Sequence, residues 1–219
     1  MFSLMWYTHQ EQSETAAHRA EVLQLSKEAE LFKLRQQLQP HFLFNSLNSI
    51  SALTSTQPEK ARHMIQQLSD FLRGTLKKED NQWNTLDEEL QYLQLYLDIE
   101  KVRFGHRLQT EIINGDDTLE LKLPSLLLQP VVENAIKFGL YDTTDDVLIK
   151  INTSKENNNL LVTVQNPFDE KTAQPVRGTG FGLSSIQRRL FLLYARNDLI
   201  KITKENNLFT ATIIIPQNI

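Results

Sequence analysis

Between Glu14 and Leu38 the chain has neither glycine nor proline, and Val22, Leu25, Ala29 and Phe32 recur at steps of three and four residues. A narrow apolar seam of that period commits the segment to a helix that needs a partner, and a copy of itself supplies one. The helical pattern continues to about Ser51 although Pro40 interrupts it. A proline inside a helix deletes one backbone hydrogen bond and crowds the preceding turn, at ~3 kcal/mol, so the helix should bend or restart there. Tolerance of that cost beside a histidine, His41, invites a functional question.

Further elements follow from periodicity and punctuation. Thr56-Gln57-Pro58-Glu59 reads as a capping box with a first-turn proline, opening a helix whose core stripe is Ala61, Ile65, Leu68 and Leu72. Thr85 and Glu88 form a second capping box, ahead of a stripe of Leu86, Leu90, Leu93 and Leu97 in a helix running to about Phe104. Period two in Leu108 to Ile113 predicts a strand, and Pro124 is expected to start a helix reaching about Phe138. Val147 to Thr153 and Leu160 to Gln165 alternate around a polar turn, Lys155 to Asn159, and so predict a hairpin. A helix over Leu183 to Tyr194 and a closing hairpin, Leu199 to Lys204 and Leu208 to Ile215 turned at Asn206-Asn207, complete the pattern. The order predicts an α+β fold: a helical hairpin, then an α/β sandwich with one face of its sheet covered.

Composition narrows the function. Hydrophobic residues at 40% and charged residues at 23% are ordinary globular values for 219 residues. A net charge of −4 argues against a surface built to neutralise nucleic-acid phosphates, so no direct nucleic-acid partner is expected. Without cysteine there is no disulfide, thiolate zinc site or thiol nucleophile. The apolar stretch Met1 to Tyr7 is far short of the roughly 20 residues that span a bilayer. It reads as a frayed helix start or as the stump of a membrane helix otherwise absent from this chain, and the stump reading is preferred because the polar Thr8 to Arg19 follows at once.

Three constellations carry chemistry. In Gln39-Pro40-His41-Phe42-Leu43-Phe44-Asn45-Ser46-Leu47-Asn48, a polar stripe of Gln37, His41, Asn45 and Asn48 opposes Leu38, Phe42, Leu43 and Leu47, which can bury. His41 should therefore face outward, as a mostly neutral imidazole with a nucleophilic lone pair, or as a plain surface histidine on a kinked helix. In Leu128-Gln129-Pro130-Val131-Val132-Glu133-Asn134-Ala135-Ile136-Lys137, Asn134 and Lys137 share a helical face. An amide oxygen there could hold Mg²⁺ and the ammonium could meet phosphate, although an amphipathic helix has such a polar side anyway. Finally, Gly178, Gly180 and Gly182 bring three of the chain's seven glycines together before a helix. They could let backbone amides approach phosphate, or simply make a tight turn.

In this order, from roughly Leu31 to Ile215, the three segments resemble the LytS-type sensor histidine kinases, whose catalytic half belongs to the GHKL (Bergerat-type) ATPase superfamily. Leu72-Arg73, Glu88-Glu89-Leu90 and Glu100 to Gly105 are also similar to that family. The resemblance implies that His41 is the phosphoacceptor, Asn134 the Mg²⁺ ligand, Lys137 a phosphate contact, and Gly178, Gly180 and Gly182 the glycine box beside ATP. Phe138 stands where many members carry histidine and could stack on adenine. Asn166, in Val164-Gln165-Asn166-Pro167, is the candidate replacement for the family's usual aspartate that accepts from the adenine amino group; it can accept without the charge, which predicts weaker affinity or looser base selectivity. Pro167 would stiffen the entry to the ATP lid. Phe42 replaces the acidic neighbour found after the histidine in many other kinases, and Asn45 could orient the imidazole or a water, as helix polarity would equally explain.

Implied domains are a membrane-proximal stump at 1–13, a dimerisation and phosphoacceptor domain at 14–105, and an ATP-binding domain at 106–219. The implied whole is a homodimer on the cytoplasmic side of the bacterial inner membrane, serving a response regulator of LytTR type. Two rivals stand beside it. One is a non-catalytic dimeric scaffold with a degenerate nucleotide domain. The other is an ATPase or serine kinase, which leaves the Pro40-His41 segment idle.

Overall fold

Apolar residues at helical spacing build three packed helices in the computed structural model, which describes residue 26 and residues 40–79, 83–140, 145–168 and 181–217. They are α1 (Pro40–Thr56), α2 (Pro58–Glu79) and α3 (Leu86–Phe104). The expected seam of Val22, Leu25, Ala29 and Phe32 and the Met1 to Tyr7 stretch lie outside the described residues. No helix among the described residues is long and apolar enough to cross a membrane.

Aromatic rings lock the three helices. Phe42 of α1 packs 4.9 Å from Phe71 of α2 and 5.0 Å from Tyr96 of α3, and Phe71 stacks on Tyr92 at 4.9 Å. The seam of α2 is Ala61, Met64, Leu68 and Phe71, all buried. This corrects the expected stripe: Ile65 is 48% exposed and Leu72 only half-buried, because the aromatic cluster draws the Met64–Phe71 edge inward. Leu47, expected to bury, is likewise 48% exposed, since α1 buries Phe42, Ser46 and Ile50 one turn apart. The capping box at Thr56 does not form either. Its hydroxyl donates back to the Ala52 carbonyl at 3.3 Å, and Glu59 pairs with Arg62 instead.

The second box does form. Thr85 Oγ1 accepts from the Glu88 amide at 3.2 Å while the Glu88 carboxylate accepts from the Thr85 amide at 3.0 Å, which fixes the start of α3. Gly105 ends that helix at φ 63, a left-handed backbone that glycine adopts without steric cost. After a 3₁₀ turn, Gly105–Arg107, comes β2 (Leu108–Asn114). Two strands escaped the periodicity: β1 (Trp83–Thr85) pairs antiparallel with β3 (Lys122–Pro124). Pro124 therefore closes a strand rather than opening a helix, and residues 125–128 form a turn before α4 (Gln129–Leu140).

The remaining elements are β4 (Val147–Glu156), β5 (Asn159–Pro167), α5 (Phe181–Tyr194), β6 (Ile200–Glu205) and β7 (Leu208–Pro216). The sheet is mixed, in the order β2-β4-β5-β7-β6, with only β2 and β4 parallel. Both hairpins turn on asparagine pairs at positive φ, Asn157-Asn158 and Asn206-Asn207, the chemistry two-residue hairpins require. Val147, Ile149, Ile151, Leu160, Val162, Val164, Ala211, Ile213 and Ile215 point to one buried face, covered by α4, on which α5 packs. On the other face Thr163 bonds Thr212 and Lys150 pairs with Glu111, so the one-sided α+β sandwich expected from the sequence is observed. Phe71 is fully buried at the centre of the aromatic cluster. Phe71→Ala should lower unfolding free energy by about 3–5 kcal/mol in urea denaturation; a loss below ~1 kcal/mol would contradict this packing.

Candidate functional site

The helix α4 carries three of the seven nucleotide-binding residues expected from the sequence. Its polar side carries Asn134, Lys137 and Phe138, with Lys137 exposed and its Nζ 5.4 Å from the Phe138 ring centroid. Leu128 O accepts from the Val131 and Val132 amides, and Pro130 sits in the first turn, where its missing N–H costs nothing. Gly139 lets α4 touch the sheet: a Cβ there would lie 2.9 Å from Val147 Cγ1 and 3.7 Å from Asn166 Nδ2.

Asn166 ends the buried row of β5 and is 1% exposed. Its Nδ2 donates to the Pro167 carbonyl at 2.8 Å, which fixes the orientation of the amide. Its Oδ1 is buried, with no hydrogen-bond partner among the described residues. An unpaired buried acceptor costs about 1–3 kcal/mol, so this atom is poised for an incoming donor. Gly182, in the first turn of α5, would place a Cβ 3.5 Å from Pro130 O, so the end of the glycine-rich segment abuts the start of α4. Asn134, Lys137, Phe138, Asn166 and Gly182 thus belong to one neighbourhood. Gly178 and Gly180 lie outside the described residues. On α1, the His41 backbone is helical and its side chain lies outside the described residues; Asn45, one turn on, is half-buried, with its carbonyl accepting from Ser49 Oγ at 3.0 Å.

Comparison with known proteins bears on the family of the chain. The family described as Histidine kinase matches residues 29–108. The sensor protein LytS of Oceanobacillus iheyensis is 35% identical over 205 residues, which is 88% of this chain and 35% of that protein. The sensor histidine kinase BtsS of Escherichia coli K12 is 36% identical over 164 residues, 74% of this chain and 29% of that one. Among solved structures, the catalytic domain of histidine kinase ThkA is similar at a TM-score of 0.47 and 18% identity, covering 62% of this chain and 94% of that one. The chain thus falls among the sensor histidine kinases by sequence. Within them it belongs to the LytS-type family, and it spans about a third of the length of the relatives it matches.

Several polar residues that hold the site were not singled out for a role by the sequence reading. Glu89 is 1% exposed; its Oε2 accepts from the Leu126 amide at 3.1 Å and its Oε1 from the Leu128 amide at 3.3 Å. Arg107 Nη2 donates to the Leu140 carbonyl at 3.1 Å. Gln129 Nε2 donates to Glu133 Oε1 at 2.6 Å, and Arg103 pairs with Glu100 at 3.3 Å. A signal existed: Leu86, Glu89, Leu93, Tyr96 and Glu100 form a stripe at steps of three and four, so two carboxylates sit on the face that buries.

Burial pushes the Glu100 carboxyl up to about 7, against the opposing Arg103 guanidinium. Glu133 is also raised to about 7, first by burial, with the Gln129 hydrogen bond opposing and the Glu100 charge adding. Both groups bind a proton more tightly folded than unfolded, so stability falls as pH rises from the unfolded value of 4.5 through about 7. Glu100→Gln, neutral throughout, should escape its share of that loss. From pH 5 to pH 8 the variant should gain up to roughly 3 kcal/mol on the wild type in thermal or urea unfolding. Parallel stability profiles across that range would contradict the assignment.

Proposed function

We propose that this chain is the ATP-using portion of a two-component sensor kinase, which phosphorylates His41 and passes the phosphate to an aspartate on a response regulator, with a LytTR-type regulator as the expected partner. The observation that carries the nucleotide half is the buried, partnerless Asn166 Oδ1 beside the helix of Asn134 and Lys137. The adenine amino group is a donor of the kind that atom lacks. Because Nδ2 is committed to the Pro167 carbonyl, the side chain offers only an acceptor, which favours adenine over guanine, whose O6 would meet another acceptor.

Asn134 would hold Mg²⁺ through its amide oxygen. No cluster of three or more His, Cys, Asp or Glu occurs among the described residues, so the other ligands would be phosphate oxygens and water. When bound, the ion would supply neutralisation of phosphate charge. Lys137 adds a cation three residues on, where an exposed ammonium can reach phosphate. The neutral His41 imidazole attacks the γ-phosphorus: a nitrogen–phosphorus bond forms, the bond to the ADP oxygen breaks, and the other ring nitrogen gives its proton to solvent. Asn45, one turn along, would orient the ring or a water.

The domain division proposed is a phosphoacceptor and dimerisation region over 14–105 and an ATP-binding region of Bergerat type over 106–219, following a membrane-proximal stretch, 1–13. Support for a homodimer comes from the outer side of α1 and α2, where Phe44 is 67% exposed and Leu47 and Ile65 each 48%. Three large apolar side chains left in water are what a four-helix bundle of two hairpins would cover. The cytoplasmic side of the membrane is the compartment that supplies ATP.

Incubation with γ-labelled ATP and Mg²⁺ should give acid-labile label on the wild type and none on His41→Gln; label that survives the substitution would refute the phosphoacceptor. ATP binding without any label would favour the non-catalytic scaffold. Asn166→Leu, which removes the acceptor, should weaken ATP binding about tenfold in calorimetry and narrow the preference over GTP. Unchanged affinity would remove Asn166 from the base site.

A further inference from the structure

The approach to α4 is not helical. Leu126 is 2% exposed and held at φ 57, a left-handed conformation that costs a leucine roughly 1–2 kcal/mol. Something must over-determine so unfavourable a turn. The two oxygens of the single Glu89 carboxylate do so by bridging the amides of Leu126 and Leu128, and Asn84 Nδ2 donates to Oε2 at 3.3 Å. Leu128 in turn accepts the first helical bonds of α4. At the far end Arg107, just beyond α3, donates to Leu140 O, the last carbonyl of α4, where a cation also complements the helix dipole. The helix that carries Asn134, Lys137 and Phe138 is therefore gripped at both ends by α3 and the residues just after it. Glu89 lies within the matched segment 29–108, outside the ATP-binding region proposed above.

We infer that Glu89 is a positioning residue for the nucleotide site, setting the register of α4 through the 125–128 turn so that Asn134 and Lys137 meet the phosphates together. This rests on the nucleotide reading above. A charged carboxylate accepting several buried donors is stronger than a neutral acceptor, and Glu89 accepts from two amides that precede α4. It also gives α3 a direct hold on the helix that would meet the metal and phosphates, one that does not depend on the ring cluster around Phe71.

The test compares Glu89→Ala and Glu89→Gln with Phe71→Leu, which loosens the hairpin core away from α4. ATP affinity is measured with and without Mg²⁺, at temperatures where each variant is folded. Glu89→Ala should lose about tenfold in Mg²⁺-dependent affinity, as supporting residues of metal sites do, with Glu89→Gln intermediate and Phe71→Leu within about twofold of wild type. Equal affinity in Glu89→Ala and wild type, or equal loss in Phe71→Leu, would overturn the inference. If Glu89→Ala does not fold, Glu89→Gln, with one acceptor retained, carries the comparison. Failure of the nucleotide reading would show separately, as no ATP binding by the wild type. Amide exchange then decides: protection over residues 129–140 lost in the Glu89 variants but kept in Phe71→Leu supports positioning, and protection unchanged refutes it.

Discussion

One buried carboxylate fixes where the two halves of this chain meet. Glu89, near the start of α3, bridges two amides of a turn that has no helical or sheet partner of its own. Remove that acceptor and two buried N–H groups are orphaned, at a few kcal/mol in total. Around this point the rest is assembled. The Thr85–Glu88 box sets the first turn of α3, β1 and β3 bring Pro124 alongside Trp83, and α4 leaves the turn in the direction that lays its apolar side on the sheet.

The site inherits its geometry from that frame. Asn134 and Lys137 are ordinary polar positions of an amphipathic helix until Gly139 allows the helix to touch the strand ending at Asn166. The contact leaves a neutral acceptor buried, without a partner among the described residues, in the place where an aspartate would be the commoner choice by family resemblance. Its neutrality lowers the desolvation cost at the proposed base site, since an unpaired amide oxygen is cheaper to bury than an unpaired carboxylate. Glu100 and Glu133 show the expense of the charged alternative, with both carboxyls pushed up to about 7.

Local chemistry made much of this fold legible. The polar turn Lys155 to Asn159 and the Asn206-Asn207 pair announced the two hairpins, and the Thr85–Glu88 box marked α3, because each is decided within a few residues. Where tertiary partners decide, the sequence misled. Thr56 has the same capping signature as Thr85 but bonds back into α1, since α2 follows with a single residue between. Ile65 and Met64 are adjacent and both apolar; only the ring cluster around Phe71 shows which one turns inward. Pro124 reads as a helix start, yet it ends a strand that a distant Trp83 completes. The residues of the candidate site were visible as types, whereas the acceptor-only orientation of Asn166 and the hold of Glu89 on the turn depend on contacts between segments far apart in sequence.

The central claim is that α4 and the end of β5 form one nucleotide pocket. Side-chain amide resonances of Asn134 and Asn166, followed by nuclear magnetic resonance during titration with Mg²⁺ and ATP, report on it most directly. Both should move along one saturable curve with a common midpoint, and the Asn166 signal should shift much less with GTP. Saturable binding that leaves both amides unmoved would place the nucleotide elsewhere and contradict the account.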